Sequence, residues 1–334
     1  MVKIGMLGAG FIGKVHAQAY ANIPQAKVVA VCDLNADEAK KLAENFGADV
    51  STDCSEVIGR SDVDIIDVCL PTYLHARYAV EAARAGKHVF CEKPMAFTLA
   101  EADSMIEAAE KAGISMMIGQ VLRFWPEYVA IKKVLDSGEL GKSLAITATR
   151  LGTAPVWSWD RWILDPNRGG GAALDLHIHD LDYVSWVWGK PNGVSARGVR
   201  SVAGAWDHIF TTLSYDDGRV ALVEGTFFVP QNFPFTMALR AVCEEGTVEF
   251  TFRAGVNIEA RDKVENPVVV YKRDGTIAYP EVGREDAYKA EIEYFVNCVN
   301  EGRKPEMSTP RDARQSLEIA LAAIESAGRG DAGI

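Results

Sequence analysis

The sequence has few of the features that mark membrane, secreted or nucleic-acid-binding proteins. No apolar run approaches the roughly 18 residues that span a bilayer, so we expect no membrane association. The formal net charge of −11 argues against a nucleic-acid partner, because such a partner requires concentrated lysine and arginine. The first strand-like run begins close to Met1 and leaves no room for a signal peptide. These absences predict a soluble, cytoplasmic protein.

Cysteine is scarce, and internal repeats and low-complexity linkers are missing. The six cysteines are scattered, and no two of them form a CxxC pair. Most lie in apolar runs, where a cysteine is usually a small buried hydrophobic residue, so we expect reduced, structural thiols. With 334 residues, 48% of them hydrophobic and 24% charged, the chain has ordinary globular composition and enough length for two domains.

The first 120 or so residues alternate short runs rich in valine, isoleucine and methionine with longer helical patterns. Strict alternation of strand and helix predicts a parallel sheet covered on both faces. The predicted strands are Lys3–Leu7, Lys27–Val31, Asp64–Leu70, His88–Cys91 and Ser115–Ile118. The predicted helices are Phe11–Ala21, Ala36–Phe46, Ala76–Ala85 and Leu99–Ala112, with Gly86 and Gly113 at C-cap positions.

The pattern changes after Gln120, and we predict an α/β chain with domains at 1–122 and 123–334. The second domain is expected to be α+β with a large open antiparallel sheet, because residues 194–282 alternate strands with turn signals at Asp217-Gly218, Glu245-Gly246 and Asp274-Gly275. The last helices are candidates for packing back on the first domain. The other predicted elements are helices Pro126–Ser137, Gly171–Trp188, Asp286–Asn300 and Pro310–Ala327, the last capped by Thr309, and a strand Leu144–Arg150.

A G-x-G-x-x-G motif lies between the first predicted strand and helix. Its residues are Gly8, Gly10, Phe11, Ile12 and Gly13. The motif alone is weak, but a preceding strand and a following helix are the context that a dinucleotide-binding loop requires. Asp33 stands 20 residues after Gly13, where a carboxylate accepts hydrogen bonds from both ribose hydroxyls and repels a 2′-phosphate. The sequence therefore predicts NAD as cofactor, with NADP disfavoured.

Two further segments carry candidate catalytic residues. Lys93 follows the predicted strand His88–Cys91, at the sheet edge where ligands of open α/β sheets bind. Asp175 and His179 are four residues apart, which places them on one face of the predicted helix Gly171–Trp188. A carboxylate beside an imidazole suits it to accept a hydroxyl proton. Asp175 and His179 could also be a solvent-exposed pair without function, and this alternative stays open. A metal site of His177, His179 and Asp180 is a second alternative. We predict no metal, because residues two apart on a helix, such as His177 and His179, point in different directions.

A tryptophan-rich segment contains Trp157, Trp159 and Trp162. Aromatic faces pack on the C–H faces of sugar rings, so Trp157 and Trp162 are candidate substrate contacts. Tryptophan clusters also occur in cores and interfaces. Both interpretations stay open.

Three stretches together resemble the Gfo/Idh/MocA oxidoreductase family, which includes inositol dehydrogenase and glucose–fructose oxidoreductase. They are LGAGFIG, PTYLHARYAVEAARAGKHVFCEKP and GGGAALDLHIHDLDYVSWVWG. The resemblance implies a Rossmann domain, an open sheet that forms homodimers or homotetramers, Lys93 in contact with substrate and nicotinamide, and His179 as proton acceptor partnered by Asp175. It further implies that the cofactor cleft is lined by Pro71, Thr72, His75, Glu92, Lys93 and Gln120.

The chain departs from the family pattern near the expected substrate. It has a single arginine, Arg123, where inositol dehydrogenase-like members often have two, and the tryptophan-rich loop is not general. We expect oxidation of a secondary hydroxyl on a cyclic polyol or sugar, with Lys93, Arg123, Trp157, Trp162, Asp175 and His179 as substrate contacts. The alternatives are a glycosidase-type hydrolase using bound NAD and a non-catalytic NAD-binding regulator.

Overall fold

The computed structural model describes residues 1–254 and 267–329, and the chain forms two compact units. The first contains residues 1–124 and 285–314, and the second contains the described residues of 125–284 and 315–329. The functional domains proposed from the sequence, 1–122 and 123–334, stay a prediction. Within the described ranges, no helix is both long enough and apolar enough to span a membrane.

The first unit is built on a six-stranded parallel sheet in the order β3-β2-β1-β4-β5-β6. This is the Rossmann order, and it reverses direction between β1 and β4. β1, β4, β5 and β6 are almost wholly buried, as expected for strands covered on both faces. The strands are β1 Val2–Leu7, β2 Ala26–Cys32, β3 Asp49–Ser51, β4 Ile65–Val68, β5 His88–Glu92 and β6 Met116–Gly119.

Helices cover this sheet. One hydrophobic core joins β1 and β2 to residues of α1, α2 and α9, including Ile4, Tyr20, Ile292 and Phe295. Helix α9 thus packs within the first unit although it lies far along the chain. The helices of this unit are α1 Phe11–Tyr20, α2 Ala36–Glu44, α3 Cys54–Ile58, α4 Thr72–Arg84, α5 Leu99–Ala112 and α9 Ala287–Asn300, with a 3₁₀ turn at Val121–Arg123.

Two short elements of the first unit were not predicted. β3 is three residues long and mostly exposed, so it has neither an apolar run nor a clear alternation. α3 is a five-residue helix capped by the Asp53 side chain, which accepts the Ser55 N–H. Helix α4 begins at Thr72 rather than Ala76, because Pro71 stands at its N-cap.

The second unit contains an eight-stranded sheet in the order β14-β13-β12-β11-β7-β10-β9-β8. All neighbours are antiparallel except β7 and β10, which pair in parallel, so the sheet is mostly antiparallel, as predicted, with one parallel pair. Part of the predicted segment, residues 255–266, lies outside the described residues. The strands are β7 Ser143–Thr153, β8 Gly193–Arg200, β9 Trp206–Ser214, β10 Val220–Val229, β11 Thr236–Cys243, β12 Gly246–Arg253, β13 Val269–Lys272 and β14 Ile277–Ala278.

The α/β fold class is confirmed, and the remaining helices lie close to their predicted bounds with one exception. α6 Pro126–Ser137 begins and ends as predicted, and α10 Pro310–Arg329 begins after Thr309, whose Oγ1 accepts the Asp312 N–H. Helix α10 belongs to the first unit as far as Arg314 and to the second beyond it. The exception is Gly171–Trp188, which is two helices, α7 Gly171–Asp175 and α8 Ile178–Trp188.

Candidate active site

The glycine motif forms the turn between β1 and α1, and each glycine is required for a different reason. Gly8 has φ +103°, a conformation that residues with a side chain rarely adopt. A Cβ at Gly13 would overlap the carbonyl oxygen of Gly8. A Cβ at Gly10 would meet no atom within 4 Å, so this glycine faces open space. Close packing at Gly8 and Gly13 and open space at Gly10 are what a loop that approaches a pyrophosphate needs.

Asp33 follows β2 and lies against this loop. Its Oδ2 accepts the N–H of Ala9 at 2.8 Å, and its Oδ1 accepts the N–H of Asn35 at 2.8 Å. A carboxylate oxygen can accept two hydrogen bonds, so each oxygen of Asp33 can accept one more from a ligand hydroxyl. Leu34, the next residue, is 78% exposed and supplies an apolar surface beside the carboxylate.

Buried polar atoms at the carboxyl edge of the sheet fit a bound dinucleotide. Thr72 and Gln120 follow β4 and β6, and each is 1% exposed. The Thr72 hydroxyl and both polar atoms of the Gln120 amide have no hydrogen-bond partner among the described residues. Because buried polar groups are normally hydrogen-bonded, these atoms point to a polar ligand at this edge. Phe11 and Ile12 at the start of α1 and Pro71 before α4 belong to the same edge.

Lys93 directly follows β5 and is half-buried. The Lys93–Pro94 peptide is cis. The Lys93 N–H donates to Glu92 Oε2 at 3.0 Å. On the other side, His75 Nδ1 lies 2.7 Å from the Pro94 carbonyl oxygen and its Nε2 lies 2.7 Å from that of Leu70. The backbone on both sides of Lys93 is therefore held by side chains.

Asp175 and His179 lie in the second unit, and the single helix expected to carry both is interrupted. The His177 N–H donates to the Ala172 carbonyl, five residues back, which widens the turn between α7 and α8. Asp175 and His179 therefore do not share one face of a continuous helix, and the predicted single helix is wrong here. Both side chains are half-buried while their neighbours Leu174, Leu176 and Ile178 are buried.

The wide turn directs His177 and Asp180 into the sheet of the second unit. His177 Nε2 lies 2.8 Å from Thr211 Oγ1 on β9, and burial together with nearby Arg150 lowers the pKa of His177 to about 3. Asp180 binds Arg150 through two hydrogen bonds of 2.7 and 3.0 Å, and both residues are buried. These partners give His177 and Asp180 a structural role in place of the alternative metal site with His179.

The remaining predicted substrate contacts lie in different environments. Arg123 is 4% exposed, and its guanidinium lies 3.2 Å from the Asp312 carboxylate. Trp157 and Trp159 are 62% and 61% exposed, which rules out a core position for them within this chain. Trp162 packs against a small core that includes Ile163 and Phe227.

Three buried ionisable residues near β5 were not predicted as functional residues. His16, Asp67 and Glu291 are each 0% exposed. A signal for Glu291 exists in the sequence, because it lies on the same helical stripe as Ile292 and Phe295, and an acidic residue on an apolar stripe is unusual. His16 similarly lies on the buried side of α1 with Tyr20.

Comparison with known proteins identifies the family. Residues 2–120 match the oxidoreductase family with an NAD-binding Rossmann fold, and residues 128–249 match the GFO/IDH/MocA C-terminal domain. Levoglucosan dehydrogenase of Pseudarthrobacter phenanthrenivorans is 32% identical over 67% of this chain and 67% of its own length. Inositol 2-dehydrogenase of Rhizobium meliloti is 28% identical over 97% of this chain and 96% of its own.

A solved structure agrees with this identification. The aldose-aldose oxidoreductase from Caulobacter crescentus, complexed with glycerol, matches with a TM-score of 0.85 at 25% identity, covering 98% of both chains. This chain belongs to the GFO/IDH/MocA oxidoreductase family. It is an NAD-binding oxidoreductase, and the predicted family, enzyme class and cofactor are confirmed.

Proposed function

We propose that this protein oxidises a secondary hydroxyl of a cyclic polyol or sugar and transfers the hydride to NAD. The observation that carries the proposal is its similarity, over nearly the whole chain, to inositol 2-dehydrogenase. The levoglucosan dehydrogenase relative supports the same class of carbohydrate-like substrate. Asp33 beside the glycine loop supports NAD over NADP, because its carboxylate would repel a 2′-phosphate. When bound, NAD supplies the hydride acceptor, and that chemistry belongs to the cofactor.

In this mechanism His179 accepts the proton of the substrate hydroxyl. The half-buried Asp175 is its partner and sets the orientation and basicity of the imidazole. Arg123, Trp157 and Trp162 are proposed substrate contacts, and the exposed Trp157 face is suited to pack on a sugar ring.

Lys93 is proposed to donate a hydrogen bond to a substrate oxygen and to stabilise negative charge that develops on it. Its position after β5 supports this role, since ligands of open α/β sheets bind beyond the carboxyl ends of the strands. The fixed backbone on either side of Lys93 limits the positions its ammonium group can reach.

We also propose a cytoplasmic homodimer or homotetramer that forms through the eight-stranded sheet. One face of this sheet packs on the core, whereas the other exposes large apolar side chains. Phe210, Val220 and Leu222 on neighbouring strands are 42%, 42% and 44% exposed. A large exposed apolar face favours a protein–protein contact, and a second copy of the chain is the partner we propose.

The reaction is tested by following NADH absorbance with NAD and NADP supplied separately. The substrate panel contains inositols, levoglucosan, aldoses and sugar acids. Turnover with at least one polyol or sugar, faster with NAD than with NADP, supports the proposal. Binding of NAD without NADH formation across the panel would contradict it. Release of a chromogenic aglycone without net NADH would instead indicate a hydrolase.

A further inference from the structure

Behind Lys93 lies a buried cluster of ionisable side chains contributed by four elements of the first unit. They are His16 on α1, Asp67 on β4, Glu92 on β5 and Glu291 on α9. Their exposed fractions are 0%, 0%, 6% and 0%. Burying ionisable groups costs folding free energy unless they are paired and hydrogen-bonded. A cluster of this kind in the core of a Rossmann domain therefore requires an explanation.

Hydrogen bonds connect this cluster to the Lys93 backbone. His16 Nδ1 lies 2.9 Å from Asp67 Oδ2, and His16 Nε2 lies 3.1 Å from Glu92 Oε1. The other oxygen of the same carboxylate, Glu92 Oε2, accepts the Lys93 N–H at 3.0 Å. An unbroken series of contacts thus runs from Asp67 through His16 and Glu92 to the residue proposed to stabilise charge on the substrate.

The contacts define the protonation state of His16. Ionised carboxylates only accept hydrogen bonds, so a ring with a carboxylate at each nitrogen satisfies both only when both nitrogens carry protons. Burial alone would lower the pKa of His16, but the charge of Asp67 and the hydrogen bond to it outweigh that effect. The pKa of His16 is raised well above its usual value. His16 is accordingly an imidazolium between two carboxylates.

Glu291 is the fourth member of the cluster. Both of its carboxyl oxygens lack a hydrogen-bond partner among the described residues. Burial and the neighbouring Glu92 charge raise the pKa of Glu291 well above its usual value, so this side chain is a neutral acid. The polar groups that face His16 are those of Asp67, Cys69 and Glu92. Tyr20 is hydrogen-bonded to Asp67. Glu291 also lies close to His16 and carries no charge.

We propose that His16 is a positioning residue for the oxidation: it bridges Asp67 and Glu92 and so fixes the Glu92 carboxylate that holds the Lys93 backbone. The proposal rests on the proposed function of Lys93. His16 touches neither cofactor nor substrate in this account and acts through Glu92. Small displacements of a catalytic group cost large factors in rate, so loss of the bridge lowers kcat more than it alters binding.

Two substitutions of His16 separate its two contacts. In His16→Asn the side-chain amide nitrogen lies close to the position of ring Nδ1. In His16→Gln the side-chain amide nitrogen lies close to the position of ring Nε2. His16→Asn therefore keeps the Asp67 contact and loses the Glu92 contact, whereas His16→Gln keeps the Glu92 contact. We expect His16→Asn to lower kcat by roughly 10- to 100-fold, with KM and NAD affinity little changed. His16→Gln should restore most of this loss.

A readout independent of turnover is hydrogen exchange at the Lys93 amide. Exchange should become faster in His16→Asn and stay near wild type in His16→Gln. If His16→Asn does not fold, Glu92→Gln provides the same test, with slower turnover and faster exchange at Lys93. A wild-type protein inactive on the whole substrate panel would refute the proposed function, while the exchange experiment would still decide the role of His16.

Glu291→Gln is the matched control, because glutamine resembles a neutral carboxylic acid in shape and charge. It should leave kcat and Lys93 exchange unchanged. Equal kcat and equal Lys93 exchange in His16→Asn and His16→Gln would overturn the proposal. It would also be overturned if elemental analysis found a tightly held divalent metal and Glu291→Gln removed it, since His16, Glu92 and Glu291 would then be metal ligands.

Discussion

The carboxylate of Asp33 accepts the backbone N–H of Ala9, so the acidic residue after β2 is bonded directly to the glycine loop. This contact fixes the carboxylate beside the site where an adenosine ribose is expected. We therefore propose two functions for Asp33, ordering the loop and binding the cofactor. Substitutions at Asp33 therefore affect cofactor selection and loop order together, and variants must separate the two effects.

We predict that Asp33→Asn weakens NAD binding and shifts preference toward NADP. Asparagine retains one oxygen that can accept the Ala9 N–H, but it lacks the negative charge that repels a 2′-phosphate. The hydrogen bonds expected between the ribose hydroxyls and the Asp33 carboxylate contribute about 1.5–3 kcal/mol, so their loss corresponds to a roughly 10- to 100-fold rise in Kd for NAD. Fluorescence titrations with NAD and with NADP measure the two Kd values. An unchanged ratio of the two Kd values would show that Asp33 does not select the cofactor.

The glycine loop allows folding and binding to be separated. Gly10→Ala adds a methyl group where no protein atom lies within 4 Å, so stability should change by less than about 0.5 kcal/mol. NAD binding should fall sharply, because the methyl group occupies the space expected for the pyrophosphate. Gly13→Ala places its methyl group against the Gly8 carbonyl and should destabilise the protein by about 1–3 kcal/mol or more.

Thermal unfolding with and without NAD checks both variants of this loop. The expected pattern is a Gly10→Ala protein of normal stability that gains little from NAD, and a Gly13→Ala protein that is unstable in both conditions. Normal stabilisation of Gly10→Ala by NAD would place the pyrophosphate elsewhere.

The buried His177 predicts a specific contribution to stability at acid pH. Burial and Arg150 lower its folded-state pKa to about 3, below that of the unfolded chain. The unfolded state thus binds a proton more readily, and stability present above about pH 6.5 is lost as the pH falls, by up to about 1.4 kcal/mol per unit. His177→Gln, which can still bond Thr211, should make the decline shallower between about pH 6 and pH 4.

Urea unfolding across this pH range measures the slope. His208→Gln is the control, because the His208 side chain is 25% exposed in the same unit. The same slope in His177→Gln as in wild type would mean that His177 is not buried as a neutral imidazole.

The outer face of the eight-stranded sheet is tested with Leu222→Arg. A charged group at the centre of an apolar contact should dissociate the oligomer, and light scattering should then report a smaller assembly than wild type. Val202→Arg is the control, because Val202 is fully exposed outside the sheet. An oligomer that survives Leu222→Arg would show that copies associate through another surface.

Local sequence patterns were sufficient to predict most of the first unit, because its strands are buried on both faces and its turns contain glycine at positive φ. The bounds of α5 and α6 agree with prediction since each has a capping signal, Thr98 before α5 and Pro126 at the start of α6. β3 and α3 were missed because each is too short to have a period.

Long-range contacts explain what the sequence alone could not predict. The wide turn before α8 accompanies two contacts between residues that are distant in sequence. Asp180 pairs with Arg150, 30 positions away, and His177 pairs with Thr211, 34 positions away. The His16 cluster likewise joins four distant elements and has no local pattern. The parallel pairing of β7 with β10 is also non-local, since neither strand is next to the other in sequence.

The central claim is that Lys93 and His179 carry the chemistry while the glycine loop and Asp33 bind NAD. The most direct test compares kcat and NAD affinity in Lys93→Ala and His179→Ala, with the exposed Lys41→Ala as control. We predict that each of the first two lowers kcat by roughly 10²- to 10⁴-fold, while NAD affinity stays near wild type and Lys41→Ala is fully active. Near-wild-type turnover in either Lys93→Ala or His179→Ala would contradict the account.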